Sequence, residues 1–454
     1  MKGIYLITIL MLLSVAAKAQ VAHTVNEGDL VVEPGTVMTV IGDFTNSENG
    51  LNTGTVNNEG QVTIHGNFEN TELGHYTNDG EIIFHGNFKN DGITTFSPDK
   101  NGYTRFEGTS QQKIEGSVPA DFYDVLFNNP NGTATQPAFQ LFGDISISGN
   151  ADFYEGIVKD DEFGGIITFE NNATHSNVDH DSHVDGYVLK NGSPEFTYPI
   201  GDQDPATNAR FYRYAAISAP GEDLSSFEAK YFYENSNALY THESKVGIID
   251  IINDKEYWTI EKEGGEADVM LTLSWDTSVT TPAYIVAEPY ENIHIVRWKD
   301  RSGMGMPGIW VDEGGVANPA AGTITTAVEV DGYGVFTLAR IKENVALPGD
   351  VVVYNGVTPN GDGENDHFII EHLKDFPKNS VEIYNRWGVK VFETKGYDQN
   401  GNVFKGYSEG RVTVNKNEML PTGTYFYVIE YLYEREGEES RMIKETGYLY
   451  LSSD

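Results

Sequence analysis

The sequence predicts an all-β protein. Three observations carry that expectation. The chain has 48 glycines, 26 tyrosines and 23 phenylalanines, which favour strands and turns over helices. Apolar and polar residues alternate in short runs along most of its length. No amphipathic helical period extends beyond about three turns. Within that class the pattern predicts N-terminal β-solenoid-like repeats, a central β-sandwich region and a C-terminal immunoglobulin-like β-sandwich.

Residues 1–19 read as a secretory signal peptide. Lys2 gives the positive start and Ile4 to Ala17 a short apolar run. Ala17-Lys18-Ala19 is an A-x-A cleavage site, so the mature chain would begin at Gln20. The chain has no cysteine, which excludes a lipid-modified cysteine, a disulfide framework, a thiolate zinc site and a cysteine nucleophile. No later segment reaches the roughly 18 apolar residues of a membrane-spanning helix. The formal charge is −38, and loss of Lys2 and Lys18 makes it more negative. Such a surface repels nucleic acid and anionic lipid. No nucleic-acid partner is expected.

Residues 20–154 carry a repeat. "NNEGQVTIHGNFEN" from Asn57 aligns with "TNDGEIIFHGNFKN" from Thr77, a period of 20. "MTVIGDFTN" from Met38 is an earlier copy, and weaker echoes follow from Thr104 and Ile145. Short strands with Gly/Asn turns at this period predict a solenoid. Val62 and Ile64 match Ile82 and Phe84, so these alternate positions face a common core. His65 and His85 take the outward parity and would stack. Asn67 and Asn87 would form a ladder in the turns. The first rung, after Gln20, would act as a cap.

Residues 155–344 hold many short alternating strands, from "GIITF" to "GVFTLARI", separated by turn signals such as Asn191-Gly192 and Asp331-Gly332. This is the rhythm of one or two β-sandwich units. One cluster here has metal-ligand chemistry. Asp181, His183 and Asp185, followed by Gly186, imitate positions 1, 3, 5 and 6 of a calcium loop, but position 12 falls on Gly192 instead of glutamate. The alternative is a polar loop leading into the next strand.

Residues 345–350 form a linker, and a last domain occupies 351–454. Its opening "TPNGDGEND", from Thr358, supports two readings. Asp362, Glu364 and Asp366 are hard oxygen donors that suit calcium, yet an EF-hand register puts Thr358 at position 1 and Ile369 at position 12, which fits poorly. As a turn the stretch is complete. Pro359 presets φ, Gly361 and Gly363 permit positive φ, and Asn365 and Asp366 can accept from backbone N–H groups. The turn reading is preferred. Further on, Val381, Ile383, Val389 and Val391 alternate about a turn at Arg386-Trp387-Gly388.

Four motifs occur in order: "VVVYNGVTPNGDGENDHFII", "VEIYNRWGVKVFE", "LPTGTYFYVIEY" and "TGYLYL". Together they resemble the gliding-motility-associated C-terminal domain of the Bacteroidetes, the type B sorting domain of the type IX secretion system. Matching positions are Pro359, Asn360, Gly361, Asp362, Gly363, Asn365 and Asp366, then Asn385, Arg386, Trp387 and Gly388, then Pro421, Gly423, Thr424 and Tyr425. One departure is Phe404, where the family usually has tryptophan. The resemblance implies export, then passage through the outer membrane by the type IX translocon. It also implies retention at the cell surface by a PorP/SprF-like outer-membrane barrel.

For the front end the expected function is non-enzymatic: an adhesin-like or structural stalk, with an extracellular glycan or protein as ligand. No cofactor is expected beyond calcium at the loops named above. The alternative is a secreted polysaccharide-active enzyme or glycan-binding protein with a solenoid groove. The chain has no G-x-S-x-G, H-E-x-x-H or phosphate-loop motif.

Overall fold

The computed structural model describes residues 22–49, 53–342, 351–361, 365–399, 401–408, 419–434 and 440–452. The expected signal peptide and the linker 345–350 lie outside them.

The chain first coils into rungs of three strands. Rung one is β1 (His23–Asn26), β2 (Asp29–Val32) and β3 (Val37–Val40). Rung two is β4 (Asp43–Asn46), β5 (Thr55–Asn58) and β6 (Gln61–Ile64). Rung three is β7 (Phe68–Asn70), β8 (His75–Asn78) and β9 (Glu81–Phe84). Each strand pairs in parallel with its counterpart in the next rung, so three sheets rise side by side around one core. The repeated sequence explains the stacking. Val62, Ile64, Ile82 and Phe84 are buried as their parity requires. Phe44, Phe68 and Phe88 form a stacked column with centroids 5.9 and 5.4 Å apart.

The solenoid has about eight turns, more than the repeat disclosed. Parallel pairing continues beyond Tyr154, through Ile167–Phe169 onto Val188–Asn191 and through Val184–Asp185 onto Ile200–Asp204. The boundary expected at residue 154 therefore falls inside a rung, in the strand Asn150–Glu155. Strands such as "GIITF" alternate identically in a solenoid and in a sandwich. Alternation does not specify the pairing partner.

After Asn191 one of the three sheets changes character. Ser226–Phe232 pairs antiparallel with Val188–Asn191, and the sheet continues through Tyr257–Gly264, Gly334–Ile341, Ile293–Lys299 and Ile309–Gly314. This 14-stranded sheet is half solenoid wall and half sandwich layer. A five-stranded sheet from Phe196–Thr197 to Val316–Asn318 lies opposite. One hydrophobic core runs from Val32 to Leu338, and a smaller cluster, from Ile249 to Ala339, lies beside it in the sandwich region.

The C-terminal unit has its own core, from Val351 to Leu451. A five-stranded sheet centres on the long pair Gly423–Tyr433 and Arg441–Leu451, with a two-stranded sheet, Val352–Val353 and Ile370–Glu371, beside it. This arrangement is consistent with the expected β-sandwich.

Candidate functional site

The C-terminal unit is the part of the chain with the most specific sequence signature. Its first turn is built by backbone bonds and a carboxylate cap. Thr358 N donates to Asn365 O at 2.7 Å and Gly361 N to Asp366 Oδ1 at 2.6 Å. Gly361 and Asn365 take positive φ, 80° and 52°. Phe368 then drops into the core. Of the proposed calcium donors, Asp366 caps the turn, while Asp362 and Glu364, with Gly363, lie outside the described residues.

The second motif is a hairpin tip. Asn385 Oδ1 accepts from Trp387 N and Val389 N, each at 3.0 Å, and Gly388 has φ 71°. Arg386 lies 4.2 Å over the Trp387 ring, which is 67% exposed. The alternation expected of Val389 fails. The register shifts after Ile383, so Phe392 and Val391 are buried and Val389 is on the surface. A bulge of one residue is invisible to a period-two reading. Phe404 is fully buried against Phe392, so it fills the expected tryptophan position. In the third motif Tyr425 Oη donates to Pro421 O at 2.8 Å. Gly423 and Thr424 open the central strand of the sheet.

Residues 351–451 match the CHU_C Type IX secretion signal domain. This signal domain covers less than a quarter of the chain. It marks the protein for export by the type IX system and attachment at the cell surface. Comparison with curated proteins and with solved structures gives no match.

The signal domain contacts the central sandwich at several points. Lys444 Nζ lies 3.0 Å from Asp331 Oδ1. A Cβ at Gly388 would come within 2.7 Å of Met270 Cε, so the motif hairpin abuts the sandwich. His294 Nδ1 sits 2.7 Å from Asp312 Oδ1, and Glu445 faces both. Burial pushes Glu445 up to about 8, with Asp312 adding to the rise and His294 opposing it. Beside this contact is a cleft of about 1270 Å³, lined by Thr272 and Thr325 on one side and Glu382, Tyr384, Trp387 and Lys390 on the other.

The central acidic cluster does not converge. Asp181 points outward and pairs with Arg210 at 2.9 Å. His183 is buried, its Nδ1 3.0 Å from Asp179 O. Asp185 is buried with Lys159 at 3.2 Å and Gln203 at 3.0 Å. The hairpin Ile200–Asp204 and Ala209–Tyr212 covers this face. Among the described residues no group of three or more His, Asp or Glu is placed to hold a metal ion.

On the solenoid, His65 and His85 stack at 4.8 Å, and His85 Nδ1 lies 2.6 Å from Glu107 O. Asn67 Oδ1 accepts from Asn87 N at 3.0 Å, the ladder expected in the turns. Two further ladders are buried and were not anticipated. Asn26, Asn46 and Asn70 each pass Nδ2 to the next Oδ1 at 2.9 Å, Asn90 ends the row by donating to Val118 O, and Asn58 passes to Asn78 at 2.8 Å. Their signal was present: the asparagine closing "DFTN", "NFEN" and "NFKN" recurs in register with the phenylalanine column.

Proposed function

We propose that this chain is a non-enzymatic surface protein whose solenoid and sandwich form an adhesin-like or structural stalk. A PorP/SprF-like outer-membrane barrel would hold its signal domain, and residues 1–19 would serve as the export signal. The observation that carries the stalk reading is the core that solenoid and sandwich share. It makes a stiff body from rungs that bury the polar amides of each turn in ladders.

A glycan-cleaving solenoid would need free carboxylates converging on one face. On the outer face around β9, Glu81 and Glu107 are both tied to Arg105. On the neighbouring face Glu69 and Asp91 are tied to Lys89. That pairing favours the structural reading.

The test has two arms. A reporter carrying a signal peptide and residues 351–454 is expected outside cells that have a type IX system, and the chain truncated after Leu347 is expected in the periplasm. Surface display of the truncated chain would refute the export route. Deleting the gene and scoring adhesion against gliding tests the stalk. Hydrolysis of an acidic polysaccharide by the purified protein would refute the non-enzymatic assignment.

A further inference from the structure

We propose that the open first rung of the solenoid docks an extended, basic segment of a partner polypeptide, which adds a parallel rung to the stack. The expectation from sequence was that this rung would cap the solenoid, and its chemistry is the reverse of a cap. β1, β2 and β3 stand at the ends of their three sheets and pair, among the described residues, with rung two alone. The carbonyls of Ala22, Asn26, Gly28, Val32, Thr36 and Val40 accept from rung two. Alternate residues of a parallel ladder bond opposite neighbours. The N–H and C=O groups of Val25, Val31, Val37 and Thr39 are therefore directed away from the stack, ready to pair.

Side chains mark the same end. Val25, Val31, Val37 and Ile41 are 48, 52, 65 and 74% exposed. One rung further on, the positions of the first three are Thr45, Asn57 and Gln61. Exposed apolar side chains thus replace polar ones at the open edge of all three sheets. Natural edges are usually blunted by lysine or proline on the strands, and none of these three strands carries either. The buried amide ladder is also unfinished. Asn26 Nδ2 donates to Asn46 Oδ1, Gly28 O and Thr55 O. Its own Oδ1 accepts from no described group. The polarity of the ladder calls for a donor amide from a preceding rung.

Charge selects the occupant. No lysine or arginine lies between Ala22 and Phe88, while the first rung carries the exposed acids Glu27, Asp29 and Glu33. A second copy docking end to end would bring these acids face to face and set Asn26 Oδ1 against its own equivalent. A basic strand with an asparagine in register meets both demands: strand addition supplies the backbone bonds and the charges supply selectivity.

The test uses the secreted chain and a labelled peptide copying one whole rung, Phe68–Phe84, with its acids Glu69, Glu72, Asp79 and Glu81 replaced by lysine. Fluorescence anisotropy is expected to show saturable binding that weakens with salt. The unaltered acidic peptide and a scrambled basic peptide should bind at least tenfold more weakly. Hydrogen exchange should slow at Val25, Val31, Val37 and Thr39. The double variant Val31→Lys, Val37→Lys alters only exposed side chains. It should keep the melting temperature and lose at least tenfold in affinity. Equal binding of the scrambled peptide, protection elsewhere on the molecule, or no binding by the designed peptide would overturn the proposal. A dimer of the chain alone that the double variant abolishes would overturn it in favour of a second copy.

Discussion

At Gly361 the backbone has φ 80°, and a Cβ added there would meet nothing within 4 Å. Conformational strain alone therefore sets the cost of a side chain. Gly361→Val should lower the stability of the signal domain by about 1–3 kcal/mol, and Gly361→Asn by less, because asparagine tolerates the left-handed region. Chemical denaturation followed by tryptophan fluorescence measures both; equal costs for the two variants would refute the strain account. A second prediction concerns two buried groups of opposite sign. Burial pushes Asp202 from 3.8 up to about 7, with Asp185 adding to the rise. The stability contributed by its protonated form is full below about pH 4 and is lost as pH rises to about 7. Burial pulls His183 from 6.5 down to about 4. Its contribution is present above about pH 6.5 and is lost as pH falls toward 4. The two slopes oppose across the same window. Relative to wild type, Asp202→Asn should lose stability progressively as pH falls from 6.5 to 4, in thermal melts. A constant offset would sink this assignment. Residue-scale legibility was uneven. The turn at Thr358 was readable because glycine, proline and asparagine act locally. The fates of Asp181, His183 and Asp185 were not, because a hairpin beginning at Ile200 decides which of them is covered.

In the rungs the buried asparagines do what side chains in a helix cannot: each satisfies its own turn and the next rung at once. Asn70 Nδ2 donates to Asn90 Oδ1, Gly74 O and Ile93 O, and Asn70 Oδ1 accepts from Asn46. Asn70→Ala should cost about 2–4 kcal/mol, since several buried partners lose their bonds together. Asn26→Ala, at the half-buried open end, should cost about 1 kcal/mol. Urea melts of the two variants give the comparison, and equal costs would show that the ladder bonds carry little. Elements were legible where the repeat was strict. The core parity at Val62, Ile64, Ile82 and Phe84 and the outward histidine stack followed from a period of 20. The later rungs were misassigned to the sandwich. Their lengths drift, and "GYVLK" looks alike whether its neighbour is parallel or antiparallel.

For the whole molecule the sequence disclosed the signal domain, but not how it sits on the body it exports. Lys444, Glu445 and Thr446 meet residues more than a hundred positions earlier, and no local pattern encodes that. Glu445 gives the contact a pH signature. Its value rises from 4.5 to about 8, so its stabilising contribution is full below about pH 4.5 and is lost as pH rises through 8. The contact should loosen on the alkaline side, and Glu445→Gln should flatten that dependence. Limited proteolysis between residues 342 and 351 across pH 6–9 reads it out; cleavage that accelerates equally in both proteins would refute the role of Glu445.

The sheet that serves as both solenoid wall and sandwich layer has a mechanical consequence. Load applied along the stacking axis runs parallel to the ladder hydrogen bonds. Three ladders share it as far as Thr174–Ser176, where one sheet ends, and it enters the sandwich through Val188–Asn191 without crossing a tether. Under tension such a rod has, among the described residues, no break in pairing between its first rung and Ile341. Extension should therefore begin outside these ladders, and the stack of rungs should lengthen last.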